Sequence, residues 1–269
     1  SGLIRTASLL AALETGKVKL SDTIDVGEGV YMVHNRELLD HNWHRGGYGK
    51  LTTLQGLMVN SHIANYKNIE RAFTEEQAYF DMLDKMNYGQ PDNIEGLDSL
   101  KAAYFVTPND SGWSNTSLAW FCIGYNQQIS PIQMLTFYNA IANNGKMVKP
   151  TLYKGETEVI NPQIASKANI DSLQMALVKV VTEGLGKPAQ SEKVQVAGVS
   201  GGSQISTDED NSEGRVNTIY SVEYCGYFPA ENPKYSIIVS MNKVGLPASG
   251  NLMAGSVFKE IVNYIEATK

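Results

Sequence analysis

Apolar residues recur at helical spacing through most of the first two thirds of the chain and again at its end. The stretches with this spacing predict helices over 3–15, 51–66, 74–86, 130–144, 169–183 and 254–267. Gly16 and Gly184 provide stops after two of them. Ser130 followed by Pro131 is a strong helix start, and residues 74–77 (Thr-Glu-Glu-Gln) have the form of a capping box. The chain therefore begins as a mainly helical protein.

Beyond about residue 190 the sequence becomes rich in Val, Ile, Tyr and Thr, which favour strands. The predicted strands are 193–199, 216–228 and 234–243. The acidic run 206–214 is predicted to be a solvated hairpin connection and not a metal site. Extended segments and loops are expected over 21–50, and a long irregular excursion over 88–118. Helices followed by an antiparallel sheet and a closing helix predict an α+β fold.

The order of elements predicts one domain over 1–269, with a helical part over about 1–190 and the sheet and last helix over about 191–269. Hydrophobic residues make up 42% of the 269 residues, which is enough for a core without a disulfide or metal. The net charge of −6 and the lack of a Lys/Arg cluster argue against nucleic-acid binding. Cys122 and Cys225 lie among apolar residues, which predicts buried free thiols, with a disulfide as the alternative.

The apolar stretches are too short to span a bilayer, which takes roughly 18–20 residues. A signal peptide is also absent from the sequence. The chain opens directly in the apolar run Leu3–Leu13, and an intact protein seldom begins in this way. We therefore expect a fragment whose targeting information lies upstream.

Distinctive segments follow one another in a fixed order along nearly the whole chain. They are 6–16 (TASLLAALETG), 40–43 (DHNW), 49–52 (GKLT), 123–125 (IGY), 129–133 (ISPIQ), 137–145 (FYNAIANNG), 148–150 (VKP), 184–189 (GLGKPA), 225–229 (CGYFP) and 245–250 (GLPASG). Together they resemble the transpeptidase domain of class B penicillin-binding proteins, the division-type peptidoglycan synthases, in the form found in Bacteroidetes-type bacteria.

This resemblance implies a penicillin-binding transpeptidase or β-lactamase-like fold, with an antiparallel sheet flanked by helices and a cleft at the sheet edge. The family's early strands would precede Ser1, so the sheet is expected to be incomplete, with an edge open to self-association. The implied setting is the periplasmic face of the inner membrane, reached through a segment outside this chain. Implied partners are peptidoglycan peptides or cell-wall synthesis proteins. No cofactor is implied.

The family's serine acyl transfer uses three motifs, S-x-x-K, S-x-N and K-T/S-G. The first places a serine and a lysine one turn apart on a helix, so that a desolvated lysine can take the serine proton. The second supplies a hydroxyl for proton relay and an amide that holds the substrate. The third supplies a cation for the substrate carboxylate and a backbone N–H for the oxyanion hole.

Alignment of the first two motifs with this chain finds their functional side chains replaced. The nucleophile falls at Gly2, which has no side chain, and the lysine falls at Arg5, which remains protonated in proteins. The S-x-N motif falls on Asn60, Ser61 and His62, so both functional residues differ and only the variable middle position is serine.

The third motif, with the residue after it, falls on Val199, Ser200, Gly201 and Gly202. Its lysine has become valine, serine replaces threonine conservatively, and the first glycine is kept. Gly202 still offers its backbone N–H. Because these groups act as a unit, the loss of any member already removes most of the rate.

Three functions remain open at this stage. The first is a catalytically inactive pseudoenzyme with a binding or scaffolding role. The second is an active serine D,D-transpeptidase that cross-links stem peptides, if Ser1-Gly2 is not the natural sequence at this point. The third is a non-catalytic peptide- or small-molecule-binding module that reuses the cleft.

Other groups of polar or aromatic residues have ordinary structural interpretations that we favour. Ser61, His62 and Lys67 are adjacent polar groups of a helix, and neighbouring helical residues diverge by about 100°. A zinc cluster of His34, His41 and His44 is the alternative to a loop anchored by side-chain hydrogen bonds. The aromatic face predicted for the strand 216–228 is expected to pack in the core, with a ligand cleft as the alternative.

Overall fold

The computed structural model describes residues 1–210 and 215–269. Its helices are α1 Ile4–Glu14, α2 Thr53–Met58, α3 His62–Ala72, α4 Glu76–Lys85, α5 Ser117–Phe121, α6 Pro131–Ala142, α7 Lys167–Thr182 and α8 Gly255–Ala267. Its strands are β1 Thr23–Gly27, β2 Val30–Val33, β3 Arg36–Leu39, β4 Gly49–Thr52, β5 Tyr104–Phe105, β6 Gln127–Gln128, β7 Met147–Val148, β8 Val159–Asn161, β9 Ala197–Asp210, β10 Arg215–Phe228 and β11 Tyr235–Val244. A π-helical turn, Gly250–Ala254, precedes α8.

The first helix, α1, is central and is buried along nearly its whole length. Its small side chains, among them Ala7, Ala11 and Ala12, let α3, α4 and α7 pack around it. Because α1 is surrounded on nearly every side, its polar residues Arg5, Thr6 and Ser8 are buried along with the apolar ones. It ends before Gly16, whose φ of +72° favours glycine, as the sequence predicts.

The predicted helices 130–144, 169–183 and 254–267 are confirmed as α6, α7 and α8. The start of α6 is a complete capping box. The Ser130 hydroxyl accepts from the Gln133 backbone N–H at 3.3 Å, and the Gln133 side chain accepts from the Ser130 backbone N–H at 2.9 Å. The extended segments expected over 21–50 are also found, as β1 to β4.

One helix prediction and one cap prediction in the next region are wrong, whereas the predicted helix over 74–86 is confirmed as α4. The stretch 51–66 is not one helix, because α2 ends at Met58 and α3 begins at His62 after a turn in which Asn60 has a φ of +55°. Asparagine tolerates this left-handed conformation better than most residues. Residues 74–77 do not form a capping box, since α4 begins at Glu76 without a side-chain cap.

The main sheet has three antiparallel strands in the order β11-β10-β9. The predicted strand 193–199 is displaced, because β9 begins at Ala197, opposite Tyr227. The hairpin connection predicted over 206–214 is wrong in its first part, since β9 continues to Asp210 and pairs there with Arg215. Backbone pairing with β10 outweighs the polar composition of this segment. The rest of that prediction, over 211–214, lies outside the described residues.

The sheet separates two apolar clusters. The larger lies on the side of α1, α6 and α7, and it includes Cys225. The smaller lies under α8 and is built on Tyr224 and Phe258, whose ring centroids are 5.0 Å apart. Cys122 and Cys225 are both buried free thiols, as the sequence predicts.

The outer edge of β11 has no strand partner within residues 1–210 and 215–269. The opposite outer strand, β9, borders the cleft described below. In the same described ranges, no helix combines the length and the apolar character that a membrane crossing requires.

Candidate functional site

A cleft of about 680 Å³ lies between β9, the turn that joins α2 to α3, and the π-helical turn. The sequence-predicted residues that line it are Arg5, Asn60, His62, Ser200, Gly201 and Gly202. Gly2 adjoins this group, whereas Ser61 and Val199 do not line the cleft. Residues more than 190 positions apart in sequence, such as Arg5 and Ser200, therefore line one cleft.

The predicted nucleophile position, Gly2, lies beside the backbone of Gly202. A Cβ atom built on Gly2 would lie 3.1 Å from the Gly202 nitrogen and 3.4 Å from Arg5 Nη1. A side chain at this position would therefore reach the amide that the alignment assigns to the oxyanion hole, but glycine supplies none.

The neighbouring Ser1 hydroxyl is engaged elsewhere. It donates to the Glu223 carboxylate and accepts from the Leu3 backbone N–H at 3.2 Å. Glu223 is buried in β10 and also accepts from Ser221 and Ser240. Ser1 does not line the cleft.

The guanidinium of Arg5 is buried at the base of the cleft, where the resemblance places a lysine. Its Nη2 donates to the Ser200 carbonyl at 3.1 Å, and its buried Nε has no hydrogen-bond partner. Burial lowers the pKa of Arg5 to about 10, and Tyr138 and Asp40 oppose that effect. Arg5 thus remains a cation at neutral pH and cannot accept a serine proton.

Of the S-x-N positions, Asn60 faces the cleft and Ser61 stabilises the start of α3. Asn60 Nδ2 donates to the Ser200 hydroxyl at 3.0 Å, and this contact joins the α2–α3 turn to β9 across the cleft. Ser61 points away from the cleft and caps α3 by accepting from the Ala64 N–H at 3.0 Å. Its hydroxyl donates to Asp40 Oδ2 at 2.8 Å. Ser61 is therefore structural, in agreement with the interpretation favoured from the sequence.

Asp40 is fully buried and anchors the loop before the cleft. Its Oδ1 accepts from the Ile63 N–H at 3.1 Å while its Oδ2 accepts from Ser61. Burial raises the pKa of Asp40, and these hydrogen bonds oppose the rise. This is the loop anchoring predicted from the sequence. Among the described ranges 1–210 and 215–269, no group of three or more His, Cys, Asp or Glu residues could hold a metal ion.

His62 presents a neutral ring to the cleft. Its Nδ1 lies 3.2 Å from the Leu39 carbonyl oxygen, which only accepts, so Nδ1 carries the proton and Nε2 is an acceptor. Burial lowers the pKa of His62 to about 3, and the charge of Arg5 adds to this effect. His62 and Ser61 make no hydrogen bond to each other. His62 bonds to Leu39 and Ser61 bonds to Asp40.

The third motif supplies backbone but no cation. Val199 is buried in the larger apolar cluster with 1% of its surface exposed, so its position offers no charge to a ligand. Ser200 accepts the Asn60 amide. Gly201 is held in close contact, because an added Cβ would lie 2.6 Å from the Leu3 nitrogen.

Two features of the site were missed from the sequence, Glu223 and the π-helical turn. The inward position of Glu223 had a sequence signal, a lone acid in alternating register with Cys225 and Tyr227. The predicted aromatic face is divided between two environments. Tyr220 and Val222 line the cleft, whereas Tyr224 packs against α8.

The three-stranded sheet, the helices on its faces and the cleft at the edge of β9 together form a transpeptidase-type α+β fold. The TP domain of penicillin-binding protein 3 from Burkholderia pseudomallei matches it with a TM-score of 0.80 at 21% identity, over 99% of this chain and 78% of that one. Residues 4–263 match the family described as the penicillin binding protein transpeptidase domain. The chain belongs to the penicillin-binding-protein transpeptidase family.

Relatives of known name cover nearly all of this chain. It is 25% identical to penicillin-binding protein PbpB of Mycolicibacterium smegmatis over 95% of this chain and 41% of that protein. It is 21% identical to peptidoglycan D,D-transpeptidase FtsI of Escherichia coli K12 over 94% of this chain and 40% of that protein. The chain thus spans about two fifths of the length of these relatives.

Proposed function

We propose that this chain is a transpeptidase-like pseudoenzyme of peptidoglycan synthesis, which binds cell-wall peptides or cell-wall synthesis proteins without forming an acyl-enzyme. One observation carries the proposal. The position beside the Gly202 amide is held by Gly2, and the group next to it is the buried guanidinium of Arg5.

The chemistry of acyl transfer supports this proposal at each step. A covalent intermediate requires a nucleophile, and activation of that nucleophile requires a base that can lose its proton. Gly2 offers no nucleophile, and Arg5 stays protonated. The valine at position 199 is buried in the core, so a substrate carboxylate finds no cation there.

The cellular setting of the proposal comes from the relatives. The E. coli K12 protein named peptidoglycan D,D-transpeptidase FtsI is similar to 94% of this chain, and the match covers 40% of that protein. We place the domain at the periplasmic face of the inner membrane, tethered through a segment outside this chain. There it would occupy a position in the cell-wall synthesis machinery without contributing cross-links.

Covalent labelling by a fluorescent penicillin tests the loss of acylation. We expect the full-length protein to give no labelled band after boiling in detergent, because Gly2 cannot open the β-lactam ring. The E. coli relative FtsI, labelled in parallel, provides the positive control. The Gly2→Ser variant is also expected to stay unlabelled, since Arg5 cannot activate the new hydroxyl.

A boil-resistant band in the natural protein would overturn the proposal in favour of an active serine D,D-transpeptidase. The variant Ser1→Ala then locates the activity. Loss of the band in that variant would assign the nucleophile to the Ser1 hydroxyl, which bonds to Glu223.

A further inference from the structure

Arg5 is a buried cation that forms no ion pair in the described part of the protein, although the charge of Asp40 acts on it. Arg5 is 6% exposed, and within the described ranges its hydrogen bond runs to a backbone carbonyl, that of Ser200. No carboxylate within the described ranges forms an ion pair with it. A buried charge without a partner is among the most unfavourable features a fold can contain.

The buried acids of the described ranges, Asp40 and Glu223, form hydrogen bonds with other groups. The Asp40 carboxylate accepts from Ser61 and from the Ile63 backbone, and the Glu223 carboxylate accepts from Ser1, Ser221 and Ser240. Neither forms a hydrogen bond with Arg5. Both buried carboxylates therefore bond to groups other than Arg5, and the guanidinium faces the cleft.

Among the described residues that line the cleft, the permanent charge is positive and comes from Arg5. The described residues that line it include no aspartate, glutamate or lysine, and Arg5 is the single permanent charge among them. His62 stays neutral beside it. This contrasts with the chain as a whole, whose net charge is −6. An anion entering the cleft thus meets one fixed positive charge and no opposing carboxylate.

Polar groups that can complete an anion site surround the guanidinium. The Nε–H of Arg5 has no acceptor, and its Nη1 points toward the space beside Gly2 and Gly202. The Asn60 amide, now on the Ser200 hydroxyl, is within the same lining. A guanidinium presents parallel N–H groups that match the two oxygens of a carboxylate. A volume of about 680 Å³ accommodates a short peptide.

We propose that the cleft binds the terminal carboxylate of a short cell-wall peptide on the Arg5 guanidinium, with Asn60 as a second donor. The choice of a peptide rests on the proposed function, whereas the choice of a carboxylate rests on Arg5 itself. In this arrangement the residue at the family's lysine position serves as the anion anchor, in place of the cation missing at Val199.

Calorimetric titration with a matched pair of ligands tests the proposal. The probe is an N-acetylated tripeptide that ends in D-alanyl-D-alanine, and its partner is the same peptide with a C-terminal amide. We expect the acid to bind about tenfold or more tightly than the amide, the scale of one charge-assisted contact. Arg5→Met is expected to abolish this preference and Arg5→Lys to keep part of it.

The matched control is Arg71→Met, which removes an exposed arginine outside the cleft that pairs with Asp22. This variant is expected to keep the full preference for the acid. Equal affinity for acid and amide, absence of binding by the acid, or an unchanged preference in Arg5→Met would each overturn the proposal. Inorganic phosphate that binds as tightly as the peptide, through Arg5, would overturn the assignment to a peptide.

Thermal unfolding separates an anchoring role from a structural one. If Arg5 serves a ligand, Arg5→Met relieves an unpaired buried charge and the free protein is expected to melt at the same temperature or higher. A lower melting temperature together with an unchanged acid preference would assign Arg5 to the fold alone. The peptides contain no reactive ring, so this outcome is independent of penicillin labelling and fails separately from the proposed function.

Discussion

The protonation of His62 is controlled by burial and by the adjacent guanidinium. Both lower its pKa, to about 3, so the folded protein holds the ring neutral through the range in which an ordinary histidine titrates. In the unfolded chain the same ring has a pKa of roughly 6.5. The unfolded state therefore binds a proton that the folded state does not, and the stability gained is complete above pH 6.5 and lost as the pH falls toward 3.

We therefore expect the wild-type protein to lose stability between pH 7.5 and pH 5 relative to the variant His62→Gln. The full shift in pKa would give about 2 kcal/mol over this interval. His62 is only half-buried, so we expect about 1 kcal/mol after solvent screening. Urea unfolding at the two pH values measures the difference. Asp40, whose pKa is raised, contributes with the opposite sign and cancels in the comparison.

The control for this measurement is His44→Gln, since His44 is exposed. This variant is expected to follow the wild-type pH dependence. Parallel pH dependences of the wild type and His62→Gln would show that the ring titrates normally in the folded protein.

At the scale of elements, the start of α3 depends on a contact with the loop before the cleft. Ser61 both caps the helix and donates to the buried Asp40. Ser61→Ala removes the cap and takes one hydrogen bond from the buried Asp40 carboxylate. We expect a loss of about 2–4 kcal/mol of unfolding free energy, from the cap and the lost bond to a buried charge together.

The capping box of α6 offers the comparison. Ser130→Ala removes a cap of the same chemical type whose hydroxyl, among the described residues, donates only to Gln133 of the same helix, and the Gln133 side-chain oxygen keeps the Ser130 backbone N–H. A loss of about 1 kcal/mol is expected. Chemical denaturation of the two variants under identical conditions provides the test. Equal losses would show that the Asp40 contact adds nothing to the cap.

The contrast between these two caps also explains how much the sequence revealed. The cap of α6 is local, because Ser130 and Gln133 are three residues apart, and it was predicted. The break before α3 depends on a bond between residues 21 positions apart, and the helical spacing of 51–66 concealed it. Likewise, β9 takes its length from its pairing with β10, which a polar run of side chains does not display.

In the candidate site, too, the positions of the motif residues could be predicted from the sequence, whereas their hydrogen-bond partners could not. The motif alignment singled out Gly2, Arg5, Asn60, Ser200 and Gly201, and the structure places these residues in or beside one cleft. It did not predict that Arg5 would lack an acid partner, since that depends on where Asp40 and Glu223 direct their oxygens. The hydroxyl bonded to Glu223 comes from the far end of the chain, 222 residues away.

At the scale of the whole molecule, the free edge of β11 is the feature with consequences for assembly. Its backbone groups are open to pairing, and Val244 at its end is 59% exposed. We expect the domain, prepared alone, to self-associate through this edge as its concentration rises. Analytical ultracentrifugation over a range of concentrations measures the effect.

Charges on an edge strand oppose such pairing, so the double variant Asn242→Lys and Val244→Lys is expected to remain monomeric. The control is Met175→Lys, which adds a charge to an exposed position of α7 without touching the sheet. Association that persists in the edge variant, or that disappears in the control, would place the interface elsewhere.

The close contact of Gly201 with the start of α1 affects what the third motif can say about activity. A Cβ on Gly201 would meet the Leu3 nitrogen at 2.6 Å, and one on Gly250 would meet the Gly201 oxygen at the same distance. Three backbone segments thus touch with no side chain between them. A descendant that gave up acyl transfer would still have to keep this glycine in order to fold. The glycine of the third motif is therefore a marker of ancestry, and only the side chains around it report on chemistry.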